Sequence, residues 1–250
     1  MSSVILAERP NKKIYRDDNR VYKVFDKSFP KVNVLNEAIN QARVEETGLP
    51  IPKVLGVTLT DDGSWTIIQE YIEGKTLAEL MSENPDRMDE YMKDFVDLQI
   101  LMHSKTAPTR LNKLKDKMDE RIVACKDLSA TVRYELRTRL EGMPKHKKVL
   151  HGDFNPTNVV RGNDGRYYIL DWAHATQGNA SADAAITYLL FTLQEKTLAD
   201  KYLRLFCDRS DTAKQYVQSW LPIVAAARKV RAVPEEQAIL DEWLNVVEYE

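Results

Sequence analysis

Cysteine is nearly absent: the 250 residues hold only Cys125 and Cys207, far apart and with no His or Cys at metal-ligand spacing. This excludes a disulfide framework and a zinc site, and it fits a reducing compartment. Long apolar runs are missing too. The longest, Leu221 to Ala227, is interrupted by Pro222 and closed by Arg228, well short of the roughly 20 residues that cross a bilayer. The apolar part of Met1 to Arg9 is too short for a signal peptide. A cytoplasmic protein with no membrane partner is therefore expected. An excess of one charge is also lacking. The formal net charge of −2 gives no global field that draws the chain to nucleic acid, so no nucleic-acid partner is expected. There is no internal repeat and no low-complexity linker. Hydrophobic residues at 43% and charged residues at 30% leave an ordinary globular chain, long enough for one large domain or two coupled lobes.

What is present changes character along the chain. Val4-Ile5-Leu6, Lys13-Ile14-Tyr15-Arg16 and Val21-Tyr22-Lys23-Val24-Phe25 read as strands, the last two joined by Asp17-Asp18-Asn19. From Val32 to Thr47 the pattern is helical, with Leu35, Ala38, Ile39 and Ala42 on one face, until Gly48, Pro50 and Pro52 stop it. Val54 to Leu59 and Trp65 to Tyr71 are two more strands. After Gly74 the chain turns largely helical, which divides it into residues 1–73 and 74–250. Met88, Tyr91, Met92, Phe95, Leu98, Leu101 and Met102 recur at helical spacing and form a core stripe. Helices at Leu111 to Cys125 and Leu128 to Gly142 follow. Arg133 to Lys148 carries six Lys or Arg against two Glu, read as a solvated face rather than an anion site. After a strand-rich break, helices resume at Ser181–Gln194, Leu198–Cys207, Thr212–Val230 and Glu235–Val247.

That break carries the chemistry. Val149-Leu150-His151-Gly152-Asp153-Phe154-Asn155-Pro156-Thr157-Asn158 sets Asp153 and Asn158 five residues apart, the aspartate-to-asparagine interval of a kinase catalytic loop. Thirteen residues after Asn158 comes Ile169-Leu170-Asp171-Trp172, with a turn at Asn163-Asp164-Gly165 that folds the two strands together. Phosphoryl transfer needs hard oxygen ligands for magnesium and a carboxylate to accept the proton of the attacking hydroxyl.

His-Gly-Asp-Phe-Asn-Pro-Thr-Asn followed by Ile-Leu-Asp-Trp resembles the aminoglycoside phosphotransferase and choline kinase family of the protein-kinase-like fold. The resemblance implies an α+β, two-lobed architecture, with a small antiparallel-sheet N-lobe holding one helix and a mainly helical C-lobe. It implies an ATP- or GTP-dependent small-molecule kinase that uses Mg2+ and a hydroxyl acceptor. Asp153 would be the catalytic base, and Asn158 and Asp171 the metal ligands. Lys23 would contact the phosphates. Glu37, eleven residues before Gly48-Leu49-Pro50, would fix the lysine in preference to Glu45 or Glu46. The backbone of Glu70, Tyr71 and Ile72 would meet the base. Asp183 would brace the catalytic loop, His151 and His103 would be structural, and His174 has no assigned role.

Three points stay open. Arg9-Pro10-Asn11-Lys12 replaces the glycine-rich phosphate loop, and Asn11 or Lys12 is either a side-chain substitute or a solvated turn. Ser219 to Val224 and Arg228, with Glu235, Glu236, Asp241 and Glu242, are candidates for the acceptor wall. The acids there suit a cationic aminoglycoside or choline, and the basic helices suit an anionic sugar or acid. A compact atypical protein kinase and a nucleotide-binding pseudokinase share the same residues.

Overall fold

A computed structural model describes residues 4–245. In chain order, β1 (Val4–Arg9), β2 (Lys12–Asp17) and β3 (Arg20–Phe25) precede α1 (Lys31–Glu45), and β4 (Val54–Leu59), β5 (Trp65–Glu70) and β6 (Gly74–Thr76) follow it. Next come α2 (Leu77–Glu83), α3 (Met88–Ser104), α4 (Leu114–Ala124) and α5 (Ala130–Gly142). Four short strands are β7 (Lys148–Leu150), β8 (Val159–Gly162), β9 (Tyr167–Ile169) and β10 (Thr176–Gly178). The chain ends in α6 (Ala180–Thr192), α7 (Lys196–Ser210), α8 (Lys214–Gln218), α9 (Leu221–Lys229) and α10 (Gln237–Asn245). Among the described residues no helix is long and apolar enough to cross a membrane.

Contacts group the chain into two compact units. One is the chain through Met88 with Pro156–Ala175, and the other is Asp89–Asn155 with the chain from Thr176 onward. Gly74 thus marks a change of composition but lies inside the first unit, because β6 pairs with β8. Glycine is needed there: a Cβ on Gly74 would sit 2.1 Å from the Arg161 carbonyl oxygen.

In the first unit an antiparallel sheet runs β1-β2-β3-β5-β4. Strand alternation turns Val21, Lys23 and Phe25 of β3 to one buried face, so Lys23 shares the core side with two apolar neighbours. Val34 and Ala38 of α1 pack on Phe25 and Ile67. The buried residues of α1 are Val34, Glu37, Ala38, Asn40, Gln41 and Val44, not the expected Leu35, Ala38, Ile39 and Ala42, and Ile39 is exposed. The helix turns three polar groups inward because each finds a partner: Gln41 Nε2 donates to Pro52 O at 2.7 Å, Asn40 Nδ2 donates to Ala173 O at 3.4 Å, and Glu37 accepts from Lys23. A second sheet, β6-β8-β9, completes this unit.

In the second unit the expected stripe of α3 buries Tyr91, Met92, Phe95, Leu98 and Met102, while Leu101 is exposed. Phe95 stacks on Phe154 at 4.4 Å between centroids and meets Phe191 and Tyr202 edge-on. The single helix expected over Thr212–Val230 is two, α8 and α9. Pro222, in the first turn of α9, has no N–H to continue an earlier helix but suits the start of a new one. Trp220, Ile223 and Val224, candidates for the acceptor wall, are buried core. Thr176–Gly178 pairs with β7, a strand not anticipated from the sequence. The last helix begins after one 3-10 turn, Pro234–Glu236, and Val247 lies outside the described residues.

Phe95 is fully buried, so Phe95→Ala removes a ring and leaves a cavity. Loss of about 3–5 kcal/mol is expected, read as a lower urea midpoint with an unchanged m-value.

Candidate active site

Four charged side chains of the first unit meet out of water. Lys23 Nζ donates to Glu37 Oε1 at 2.8 Å and lies 3.6 Å from Asp171 Oδ1. Lys12 Nζ lies 3.7 Å from Glu37 Oε2 and 3.8 Å from Asp171 Oδ2. Burial alone would lower the Lys23 pKa, but Asp171 and Glu37 together outweigh it and hold the ammonium above its ordinary value. Of the three glutamates considered for Lys23, Glu45 is committed elsewhere, accepting from Val54 N at 2.7 Å. The Lys12 ammonium points inward to these carboxylates rather than lying in a solvated turn.

Asp171 and Asn158 are brought together by a hairpin. Val159 pairs with Ile169 across β8 and β9, Gly165 turns the chain at φ +79°, and Leu170 N donates to Asn158 O at 2.8 Å. Asp171 itself has φ 60° and ψ 68°, a left-handed conformation that a non-glycine residue adopts at a cost. Its neighbours hold it there: buried Trp172 donates Nε1–H to Ile169 O at 3.0 Å, locking the turn back onto β9.

A cavity of about 380 Å3 opens within this unit. Ile14, Val21, Val160 and Leu170 give it apolar walls, and Lys23, Asn158 and Asp171 lie at its polar end. Glu70, Tyr71 and Ile72 line it as well. The Glu70 amide is used by Lys53 O and the Tyr71 amide by Asn19 O. Among the described residues the Ile72 amide donates to nothing. The Glu70 side chain turns away and accepts from Lys53 N at 3.0 Å.

Asp153 belongs to the second unit, on a loop held from beneath by Asp183. That fully buried carboxylate accepts from His151 N at 3.2 Å and Gly152 N at 2.7 Å, and bonds His103 Nε2 at 2.9 Å. Burial alone would raise its pKa, yet His103 and the Gly152 amide hold it below the ordinary 3.8. His151 Nδ1 accepts from Asp153 N at 3.2 Å. A buried relay continues the support: Tyr202 OH donates to Gln99, Gln99 to Thr187, and Thr187 to Phe154 O, at 2.6, 3.1 and 3.1 Å.

The profile of the Phosphotransferase enzyme family matches residues 7–220. The chain belongs to that family. No curated protein matches this phosphotransferase significantly, but solved structures do. A thermostable aminoglycoside phosphotransferase APH(4)-Ia in complex with AMP-PNP and hygromycin B superimposes with a TM-score of 0.71 at 15% identity, over 98% of this chain and 92% of that one. The choline kinase LicA of Streptococcus pneumoniae gives 0.67 at 14%, over 100% and 94%. A choline/ethanolamine kinase family protein of Mesorhizobium loti gives 0.67 at 14%, over 99% and 87%. The fold is the protein-kinase-like one, with an antiparallel-sheet N-terminal region and a mainly helical C-terminal region, and by family the chain is a phosphotransferase.

Sequence reasoning missed one group near Asp153. The stretch Arg133–Lys148 is expected to be a solvated face, and Arg137, Lys145, Lys147 and Lys148 are exposed, whereas Arg133 is half-buried and donates to Cys125 O and Leu128 O. Helix α4 differs, because Lys117 and Arg121 are half-buried. Burial, reinforced by Arg121, pulls the Lys117 ammonium down to about 8 against the opposing charges of Asp153 and Asp183. Their four-residue spacing on one helix face was the available signal.

A carboxyl held below its ordinary value stabilises the fold fully above that value and loses the contribution as pH falls through the folded-state value. Asp183→Asn should therefore destabilise this phosphotransferase most at neutral pH, with the gap to wild type narrowing below about pH 4. Urea unfolding at pH 3 to 7 measures it, and a gap independent of pH would contradict the ionised role of Asp183.

Proposed function

We propose that the chain transfers the γ-phosphate of a nucleoside triphosphate, ATP or GTP, to a hydroxyl of a small molecule with Mg2+. The observation that carries this reading is the buried Lys12–Lys23–Glu37–Asp171 cluster at the polar end of the first unit's cavity, beside Asn158. The Lys23 ammonium at the cavity's end, with Lys12 beside the same carboxylates, suits a polyphosphate. The apolar walls and the uncommitted Ile72 amide suit a flat base with an acceptor nitrogen. A related fold binds AMP-PNP and hygromycin B, which supports a triphosphate donor and a small hydroxylated acceptor.

Lys23, fixed by Glu37, would hold the α- and β-phosphates, and Lys12 would supply the charge that a glycine-rich loop provides through backbone amides. The donor set of the Asp171 carboxylate and the Asn158 amide oxygen fits magnesium. It is hard oxygen, and the described residues contain no cluster of three or more His, Cys, Asp or Glu able to cage a metal without substrate phosphates. Those two side chains would hold the ion, which when bound neutralises the phosphate oxygens. Asp153 would orient the acceptor hydroxyl and take its proton as the oxygen attacks the γ-phosphorus and the nucleoside diphosphate leaves. A carboxylate is a weak base, so aiming the oxygen counts as much as taking the proton.

Isothermal titration with and without Mg2+ separates these roles. Asp171→Ala should abolish the Mg2+-dependent part of ATP affinity, and affinity that still responds to Mg2+ would remove Asp171 from the metal site. Lys12→Met should weaken ATP much more than adenosine, and equal weakening would make Lys12 structural. Asp153→Asn should keep ATP affinity but lower transfer by about 10²–10⁴-fold, measured as ADP formation with a metabolite acceptor. Wild-type rates in that variant would reassign the base. Wild-type protein that binds nucleotide and turns over none would be a pseudokinase.

A further inference from the structure

The acceptor side of the second unit is cationic. Helix α4 buries Leu114, Met118 and Ile122 and carries Lys117 and Arg121 one turn apart. Lys117 feels the charge of Asp153, so the pair and the proposed base share one electrostatic neighbourhood. Helix α9 packs against α4 and brings Arg228 and, just past its end, Arg231. Both act on the half-buried Arg121, whose burial and cationic neighbours all disfavour its charge.

Of the four acidic residues weighed for a cationic acceptor, two are committed. Glu236 takes two hydrogen bonds from Arg228, at 2.7 and 2.6 Å. Asp241 accepts from Lys229 at 2.6 Å. Glu235 and Glu242 are exposed. Among the described residues no carboxylate lies at ion-pair distance from Arg121 or Arg231. A half-buried guanidinium crowded by like charge is costly unless an anion completes it, and its planar fork matches carboxylate and phosphate.

We propose that the phosphate acceptor is a small alcohol bearing a carboxylate or phosphate group, held by Arg121 and Arg231 while its hydroxyl faces Asp153. The inference rests on the phosphotransfer reading, and it names the acceptor's charge. Lys117, on the same face of α4 as Arg121, adds a further positive charge to the site that attracts the anion. The arrangement disfavours cationic acceptors such as choline or an aminoglycoside, which would bring positive charge against Arg121, Arg228 and Arg231, of which only Arg228 pairs with a carboxylate.

The test uses a deproteinised metabolite extract freed of nucleotides and split by ion exchange into anionic, neutral and cationic fractions. ADP formation is followed with ATP and Mg2+. The expected result is turnover with the anionic fraction, lost in Asp153→Asn. The half-saturating amount should rise about 10–100-fold in Arg121→Gln and in Arg231→Gln, with maximal rate and ATP affinity changed far less. Arg121→Lys should recover part of the loss. Gluconate, glycerate and glucose 6-phosphate then distinguish a carboxylate from a phosphate acceptor. Turnover confined to the neutral or cationic fraction, or half-saturation unmoved in both glutamine variants, would overturn the anionic acceptor while leaving phosphotransfer intact. Wild-type protein that forms no ADP with any fraction would overturn the phosphotransfer reading and this inference with it.

Discussion

Taking Lys23 out of water sets the terms for the first unit. An ammonium on the core face of a strand is tolerated only with carboxylates at hand, and here two converge on it from separate elements, α1 and the turn after β9. Each contact fixes more than itself. Glu37 sets the rotation of α1 against the sheet, and Asp171 ties the β8–β9 hairpin to β3. Lys12 joins from the next strand. Two cations and two carboxylates balance at the cavity's polar end, so the four charges are held together without a net excess of either sign.

The second unit solves a similar problem with one carboxylate. Asp183 has no lysine or arginine at ion-pair distance among the described residues; it is satisfied by two consecutive backbone amides and by His103. The amides belong to the residues just before Asp153, so a single buried anion determines the path of the loop that presents the proposed base. Gly152, at φ +76°, is the residue that allows the chain to offer both amides to one side. The Tyr202–Gln99–Thr187 relay holds the other end of the loop through the Phe154 carbonyl, and Phe95 packs under the Phe154 ring.

Much of this was readable from the chain. The spacing of Asp153, Asn158 and Asp171 and the turn at Gly165 pointed to a loop and hairpin presenting oxygens. The eleven residues from Glu37 to Gly48 selected the right glutamate. Other features were not readable. Apolar counting chose the wrong face of α1, because Glu37 and Gln41 look like surface residues until their partners on β3 and before β4 are known. The short strands β6 and β10 have no periodicity of their own, and only the pairing with β8 and β7 makes them strands. The direction of Lys12 was undecidable while the carboxylates that attract it lay far away in sequence.

The sequence by itself determined the element types over long periodic stretches and the identity of the chemical groups, because period and residue type are local properties. Tertiary structure alone decided which charges are paired. It placed Glu236 on Arg228 and Asp241 on Lys229, removed Trp220 and Ile223 to the core, and left Arg121 half-buried among cations. Charge pairing depends on distances between residues remote in the chain, and the energy of a charge depends on how much water the fold leaves around it. Neither quantity exists until the chain has folded.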